Sequence, residues 1–278
     1  MKTSRSWIRP AGIAFILIWT LVPLYWVLNM SLQTDAQVGT KPSNYFPPTP
    51  TLSNYATLLL GSSDVAESIR QSIVNIFIEC IGATAITVLL GTLAAYSFAR
   101  MRFRGRNVLF YAVLATMAIP AYATLIPLYQ LLSGAGLVNT YAGIILVYVA
   151  GSLPLATWIL HNYMASLPIA LEEAGQIDGA SRMQVLWHIV LPIARPGIVS
   201  TAIITFLAAW AQFVFPLVLS SNLATQPLTV IIATLQGRHV VPVSLMSAAG
   251  VIAIVVPAAV ALLLNRYIVS GLLAGSVK

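Results

Sequence analysis

Charge is what this chain has least of. Only 8% of its 278 residues are Asp, Glu, Lys or Arg, and the acids number seven. A soluble domain carries about 25% charged residues, so no water-facing surface can be assembled from this composition. With 59% hydrophobic residues and a mean hydropathy of +0.88, the class is integral membrane protein. The apolar runs are long rather than alternating, which points to helices and excludes a barrel. Cysteine occurs once, at Cys80 inside an apolar run; it forms no intrachain disulfide and reads as a buried spectator thiol. No G-x-x-x-x-G-K-[ST] phosphate loop is present, which excludes the usual mode of ATP binding. The three histidines, His161, His188 and His239, lack metal-ligand spacing, and no Ser-His-acid or Cys-His constellation stands out. These absences argue against an enzyme. The net charge of +7 does not indicate nucleic acid, because the basic residues sit at the ends of apolar runs, where membrane topology places them.

About 20 apolar residues cross a bilayer core as a helix, and six stretches meet that length. They are approximately 11–32, 72–99, 108–128, 141–160, 197–219 and 243–264. The first resembles a signal peptide only superficially: it exceeds a typical apolar core and no small-residue cleavage site follows, so it is expected to remain as a helix. With the N-terminus inside, Lys2, Arg5, Arg9, Arg100, Arg102, Arg104, Arg106, Arg182, Arg195, Arg266 and Lys278 fall on the cytoplasmic side, 11 of the 14 basic residues. Both termini are therefore expected inside, with "RMRFRGR" as the strongest anchor. The outer loop over 33–70, rich in Pro, Asn and Thr, is expected to take an extended path along the surface. No repeat or soluble domain is visible, so residues 1–278 read as one membrane domain. "GLLAG" at 271–275 fits G-x-x-x-G but lies beyond the sixth span and is read as an inner tail.

One polar stretch interrupts this apolar chain: "LEEAGQIDGASRMQVLWHIVLP" at 171–192, within the fourth connection at about 161–196. It holds Glu172, Glu173 and Asp178, three of the seven acids. Ser166 is expected to cap a short helix over 170–177, with Pro168 in its first turn and the glutamates near the positive end of its dipole. Asp178-Gly179 supplies a turn, and Gly179 is expected to let two arms meet closely. Ser181 can cap a second helix, which Pro192 ends or kinks. From the residues alone, an interfacial hairpin that merely stabilises topology is as good a reading as a docking element. Its acidity argues against adsorption to an anionic leaflet.

"EEAGQIDGASRMQVLWHIVLP" resembles the EAA motif of bacterial ABC-importer permeases, whose sugar-importer pattern is roughly E-A-A-x-x-D-G-A followed by I-x-L-P. Glu173, Ala174, Asp178, Gly179, Ala180, Ile189, Leu191 and Pro192 match, and Gly175 stands where alanine is usual. Glycine inside a helix costs about 1 kcal/mol relative to alanine and makes it more flexible. "FPPTPTLSNY", "AYSFARMRFRGR", "IPLYQLLSGAGLVNTYAGIIL" and "GLLAGSVK" resemble the carbohydrate-type permeases in the same order, so the likeness spans nearly the full length. The resemblance implies an all-α, six-helix type I importer permease in a bacterial inner membrane. It implies as partners a second permease, a cytoplasmic ATPase dimer and an extracytoplasmic sugar-binding protein, with ATP and Mg held by the ATPase and no cofactor in this chain. The hairpin residues Glu172, Glu173, Ala174, Gly175, Asp178, Gly179, Ala180, Arg182 and Met183 would then couple to the ATPase.

Within the spans, Glu79 lies about 10 Å into the second. A charged group there must face the bundle or a wet cavity, in a structural role through pairing or protonation, or along the sugar path. Trp210, Gln212 and Phe213 in the fifth suit a sugar, through an aromatic face and an amide, or ordinary helix packing. Pro120, Pro127, Pro154, Pro216 and Pro257 are expected to kink spans. A secondary transporter or channel working without an ATPase is the rival, though it would usually carry more intramembrane acids than Glu79 alone.

Overall fold

The computed structural model describes residues 8–238 and 241–264. Among them no strand occurs. The helices are α1 (Ile8–Ser31), α2 (Asp35–Val38), α3 (Ser53–Leu60), α4 (Asp64–Arg100), α5 (Arg106–Ala115), α6 (Leu125–Gly134) and α7 (Tyr141–Ser166). They continue as α8 (Ala170–Ile177), α9 (Arg182–Val185), α10 (Leu191–Trp210), α11 (Val214–Leu219), α12 (Leu228–Arg238) and α13 (Val243–Leu263). Five stretches are long and apolar enough to cross a membrane: Arg9–Ser31, Asp64–Arg100, Tyr141–Ser166, Arg182–Trp210 and Val243–Leu263. A sixth is the bent pair Arg106–Ala118 and Ala121–Gly134. Lys2, Arg5, His239, Arg266, Lys278 and the "GLLAGSVK" ending lie outside the described residues.

That bent pair is the third span expected over about 108–128, and the kink expected at Pro120 is a full break. The two halves meet at 91°. Ile119 is extended, with φ −74° and ψ 123°, because the ring of Pro120 disfavours a helical conformation in the residue before it. Pro120 also has no N–H to continue the ladder. The fifth span differs in the other direction. Its helix reaches back to Arg182, and Pro192 sits in the first turn of α10, where a missing N–H costs little. A π-type turn over Leu186–Val190 precedes it and absorbs the irregularity. This span then stops at Trp210 and resumes as α11, rather than running unbroken to 219.

The described chain forms two compact units. In the unit formed by residues up to Gln71 with Ile231–Val256, α1 leaves Phe15, Ile16 and Trp19 more than 60% exposed, as suits a helix bathed in hydrocarbon. The connection over 33–70 is folded, not merely extended. Asn54 donates to the carbonyls of Ser31 and Gln33 at 2.9 and 2.8 Å, and Asn29 donates to that of Asn44 at 2.8 Å. The Asn54 amide satisfies carbonyls at the end of α1 and so ties α3 to it, while Asn29 holds the connection at Asn44. In the unit comprising Ser72–Val230 and residues from Pro257, one apolar cluster joins Ala95 and Tyr96 of α4 with Leu160 and Met164 of α7. The same cluster includes Val185, Leu186 and Val190. It fastens the polar hairpin to the ends of two spans.

Candidate functional site

The hairpin over 170–190 is built by local rules. Ser166 does not cap α8; it ends α7, its hydroxyl donating to the Tyr163 carbonyl at 2.7 Å. α8 starts instead at the Leu167-Pro168-Ile169 turn, where the N–H groups of Glu172 and Glu173 reach the Ile169 carbonyl at 2.9 and 3.1 Å. At its other end Ala180 N–H bonds to Gly175 O at 2.9 Å and Gly179 N–H to Gln176 O at 3.1 Å, the paired closure of a helix whose next residue is left-handed. Gly179 is that residue, at φ +87°. Ser181 then opens the second arm with a capping box: its Oγ accepts from Gln184 N–H at 3.4 Å, and Gln184 Oε1 accepts from Ser181 N–H at 2.8 Å.

The reason for Gly179 differs from the expected one. A Cβ there would meet nothing within 4 Å, so the demand is on backbone angle alone. Close approach of the arms occurs at Gly175, where an added Cβ would lie 2.5 Å from Ile189 Cδ1 and 3.4 Å from Val185 Cγ2. The departure from alanine thus serves packing rather than flexibility.

α8 has two faces. Glu172 and Gly175 are buried, while Glu173, Ala174 and Asp178 are exposed with Arg182 and Met183 of the second arm. Ala180 is partly buried against the apolar cluster. Ile177 is 85% exposed, unusual for an apolar side chain beside so many charges. Glu172 turns inward instead of joining that surface: its Oε1 pairs with Arg100 Nε at 2.5 Å and its Oε2 accepts from the Tyr96 hydroxyl at 3.3 Å. Arg100 also donates to the Leu167 carbonyl at 2.8 Å. Burial of one carboxylate is tolerable because a guanidinium and a phenol meet both oxygens. Sequence reasoning had Arg100 only as a topology anchor. Its position in the last turn of a span, with acids in the next polar stretch, was the available signal.

A second feature is a cavity of about 480 Å³. The bend over 116–124, α7, α10 and Gln212 line it, and its polar groups include Thr116, Thr124, Ser152, Thr201, Thr205 and Gln212. The broken third span supplies one wall of the cavity, through Thr116, Met117, Ile119, Ala121 and Thr124. Of the four interior residues expected along a path, Gln212 lines this cavity. Trp210 instead packs edge-on against Phe77 at 5.2 Å and beside Phe206 at 5.7 Å. Phe213 caps α11 outside the lining, at 36% exposed. Glu79 is fully buried beside the Tyr148 side chain, and it is Tyr148 rather than Glu79 that lines the cavity.

The family described as binding-protein-dependent transport system inner membrane component matches residues 87–273, which contain both the hairpin and the cavity. The chain belongs to that family. This inner membrane component is 34% identical over 271 residues to the sulfoquinovosyl glycerol transport system permease protein SmoH of Agrobacterium fabrum, covering 98% of this chain and 93% of that one. It is 35% identical over 268 residues to the trehalose/maltose transport system permease protein MalG of Thermococcus litoralis, with 96% and 95% covered. Its fold matches a chain of a bacterial ABC transporter involved in the import of the acidic polysaccharide alginate: TM-score 0.82, 20% identity, 96% and 98% covered. The architecture is therefore that of a membrane-spanning ABC importer subunit. In this transport component, the hairpin and the cavity share one compact unit.

Proposed function

We propose that the chain is one permease subunit of an ATP-driven sugar importer in a bacterial inner membrane, supplying half of the translocation pore. The observation that carries this reading is the hairpin: closed between its arms by the Gly179 turn and the Ser181 capping box, bolted to two spans by its inner face, and presenting Glu173, Ile177, Asp178 and Met183 outward. Such a mixed surface suits a groove on another protein, with Ile177 as an apolar anchor inside a charged rim. The groove belongs to a cytoplasmic ATPase dimer, which holds ATP and Mg; this chain carries no cofactor and catalyses no reaction itself. Closure of the ATPase moves the hairpin, and the spans fastened to it switch the cavity between the two sides. A second permease completes the pore, and an extracytoplasmic binding protein delivers the sugar. Both termini lie inside.

Sugar as cargo draws support from the trehalose/maltose and sulfoquinovosyl glycerol relatives and from the hydroxyl and amide groups of the cavity, which suit hydroxylated ligands. The test is reconstitution. The chain should co-purify with an ATPase, and uptake into proteoliposomes should require the complete assembly and ATP. Uptake by this chain alone would favour a transporter acting without an ATPase. Labelling of an Asp178→Cys variant from the outer face only would overturn the docking reading.

A further inference from the structure

We propose that residues 72–100 of α4 form a transmission rod, with Arg100–Glu172 as its joint to the hairpin and Asn75 as its joint at the opposite end. The proposal rests on the docking reading, and it names the route by which motion leaves the docked hairpin.

The first joint holds both oxygens of one carboxylate. Arg100 Nε meets Glu172 Oε1 at 2.5 Å, and Tyr96, one turn earlier in α4, reaches Oε2 at 3.3 Å. The same guanidinium donates to the Leu167 carbonyl at 2.8 Å, so it grips the start of the hairpin as well as α8. The pair is largely withdrawn from solvent, with side-chain exposures of 11% and 6%. An exposed ion pair is loose and screened, whereas a buried one with a second hydrogen bond to each partner has few alternative geometries. Displacement of α8 therefore displaces the end of α4.

The second joint is equally specific. Asn75 Nδ2 donates to the carbonyls of Leu223 and Gln226 at 3.0 and 2.9 Å. Its Oδ1 accepts from the Tyr141 hydroxyl at 2.7 Å, which also lies 2.9 Å from the Ala224 carbonyl. The 220–226 segment is itself tied: Ser220 and Thr225 hydroxyls are 2.6 Å apart, and Gln226 Nε2 donates to Ser220 O at 2.8 Å. Asn139 Oδ1 accepts from Ser221 N–H at 2.6 Å. One asparagine thus links α4 to the start of α7 and to the loop after α11.

The joints lie 25 positions apart on one continuous helix, about 38 Å at a rise of about 1.5 Å per residue. This is the one described crossing without a proline. α1 contains Pro23, the bent third span Pro120 and Pro127, α7 Pro154, the fifth span Pro192 and Pro196, and α13 Pro257. Proline removes a ladder bond and lets a helix flex. Its two interior glycines, Gly82 and Gly91, are closed against α7, where an added Cβ would lie 2.8 Å from Ile145 Cδ1 and 3.4 Å from Ala156 Cβ. A proline-free helix braced there and pinned by polar groups at each end, among spans that each contain proline, is built to move as a body. Contacts that hold a hairpin in place would need neither the second joint nor the intact ladder.

The test uses the complete transporter in proteoliposomes and reads sugar taken up per ATP hydrolysed. Glu172→Gln keeps the shape of the side chain and removes its charge. It should lower that ratio about tenfold, equivalent to ~1.4 kcal/mol of coupling. Asn75→Ala, which touches no part of the hairpin, should lower the ratio similarly, and the exchange Glu172→Arg/Arg100→Glu should restore much of it. A wild-type ratio in Asn75→Ala overturns the rod. So does a loss in Glu172→Gln that merely parallels the amount of ATPase missing from the purified complex, because the residue would then act on docking. Failure of the docking reading itself shows separately, as an unsubstituted assembly that captures no ATPase.

Discussion

Gly175 offers the sharpest arithmetic in the molecule. Replacing a helix-interior glycine with alanine stabilises the helix by about 1 kcal/mol, and alanine is the residue usual in the motif that this hairpin resembles. Here the new methyl would sit 2.5 Å from Ile189 Cδ1, well inside van der Waals contact. Relief requires Ile189 to leave its preferred rotamer, at about 0.5–1.5 kcal/mol. The two terms cancel, so Gly175→Ala alone should leave stability nearly unchanged. Ile189→Val deletes the offending carbon at its own cost of about 0.5–1.5 kcal/mol. In that background the closest remaining contact is Val185 Cγ2 at 3.4 Å, and the full helix-propensity gain should emerge. The double-mutant cycle should therefore show a coupling of about 1 kcal/mol in favour of the pair. Thermal denaturation of the purified transporter reads it, since 1 kcal/mol corresponds to about 2–4 °C for a chain of this size. Equal shifts from Gly175→Ala in the two backgrounds would refute the close-approach argument.

At Gly179 the penalty is conformational: valine at φ +87° costs about 1–2 kcal/mol or more, whereas asparagine tolerates that region. Gly179→Val should abolish uptake in membrane vesicles while immunoblots show normal insertion, and Gly179→Asn should retain uptake; full uptake with valine would remove the turn from the coupling path. Ser181→Ala loses half of the capping box and should lower the denaturation midpoint by about 2–4 °C, from about 1 kcal/mol. Gln212→Ala should raise the sugar concentration giving half-maximal uptake, because its side chain lines the cavity. Trp210→Ala should instead destabilise the protein by about 3–5 kcal/mol, as loss of a buried aromatic does, and leave that concentration unchanged in the surviving assembly.

Much of this molecule is legible without coordinates. The charge deficit and the apolar run lengths determine the class, because a bilayer imposes one length and one polarity on every crossing. The second hairpin arm is equally readable: Ser181 and Gln184 lie three residues apart, and their exchange of hydrogen bonds depends on nothing distant. The left-handed turn at Gly179 follows from the same short range. Ser166 misled because a cap is chosen by the helix that actually begins there, and α7 extended far enough to claim it.

What the tertiary structure alone decided lies at longer range. Glu172 and Glu173 are neighbours in sequence, yet one is buried on Arg100, 72 positions earlier, and the other faces outward. The demand at Gly175 comes from Ile189, on the opposite arm. Pro120 announced a kink, but the 91° bend and the cavity beside it required α7 and α10 to pack around the break. Periodicity and capping act over a few residues, so the chain records them locally. Which carboxylate is buried, which glycine is crowded and which amide meets a cavity are settled by surfaces that only folding brings together.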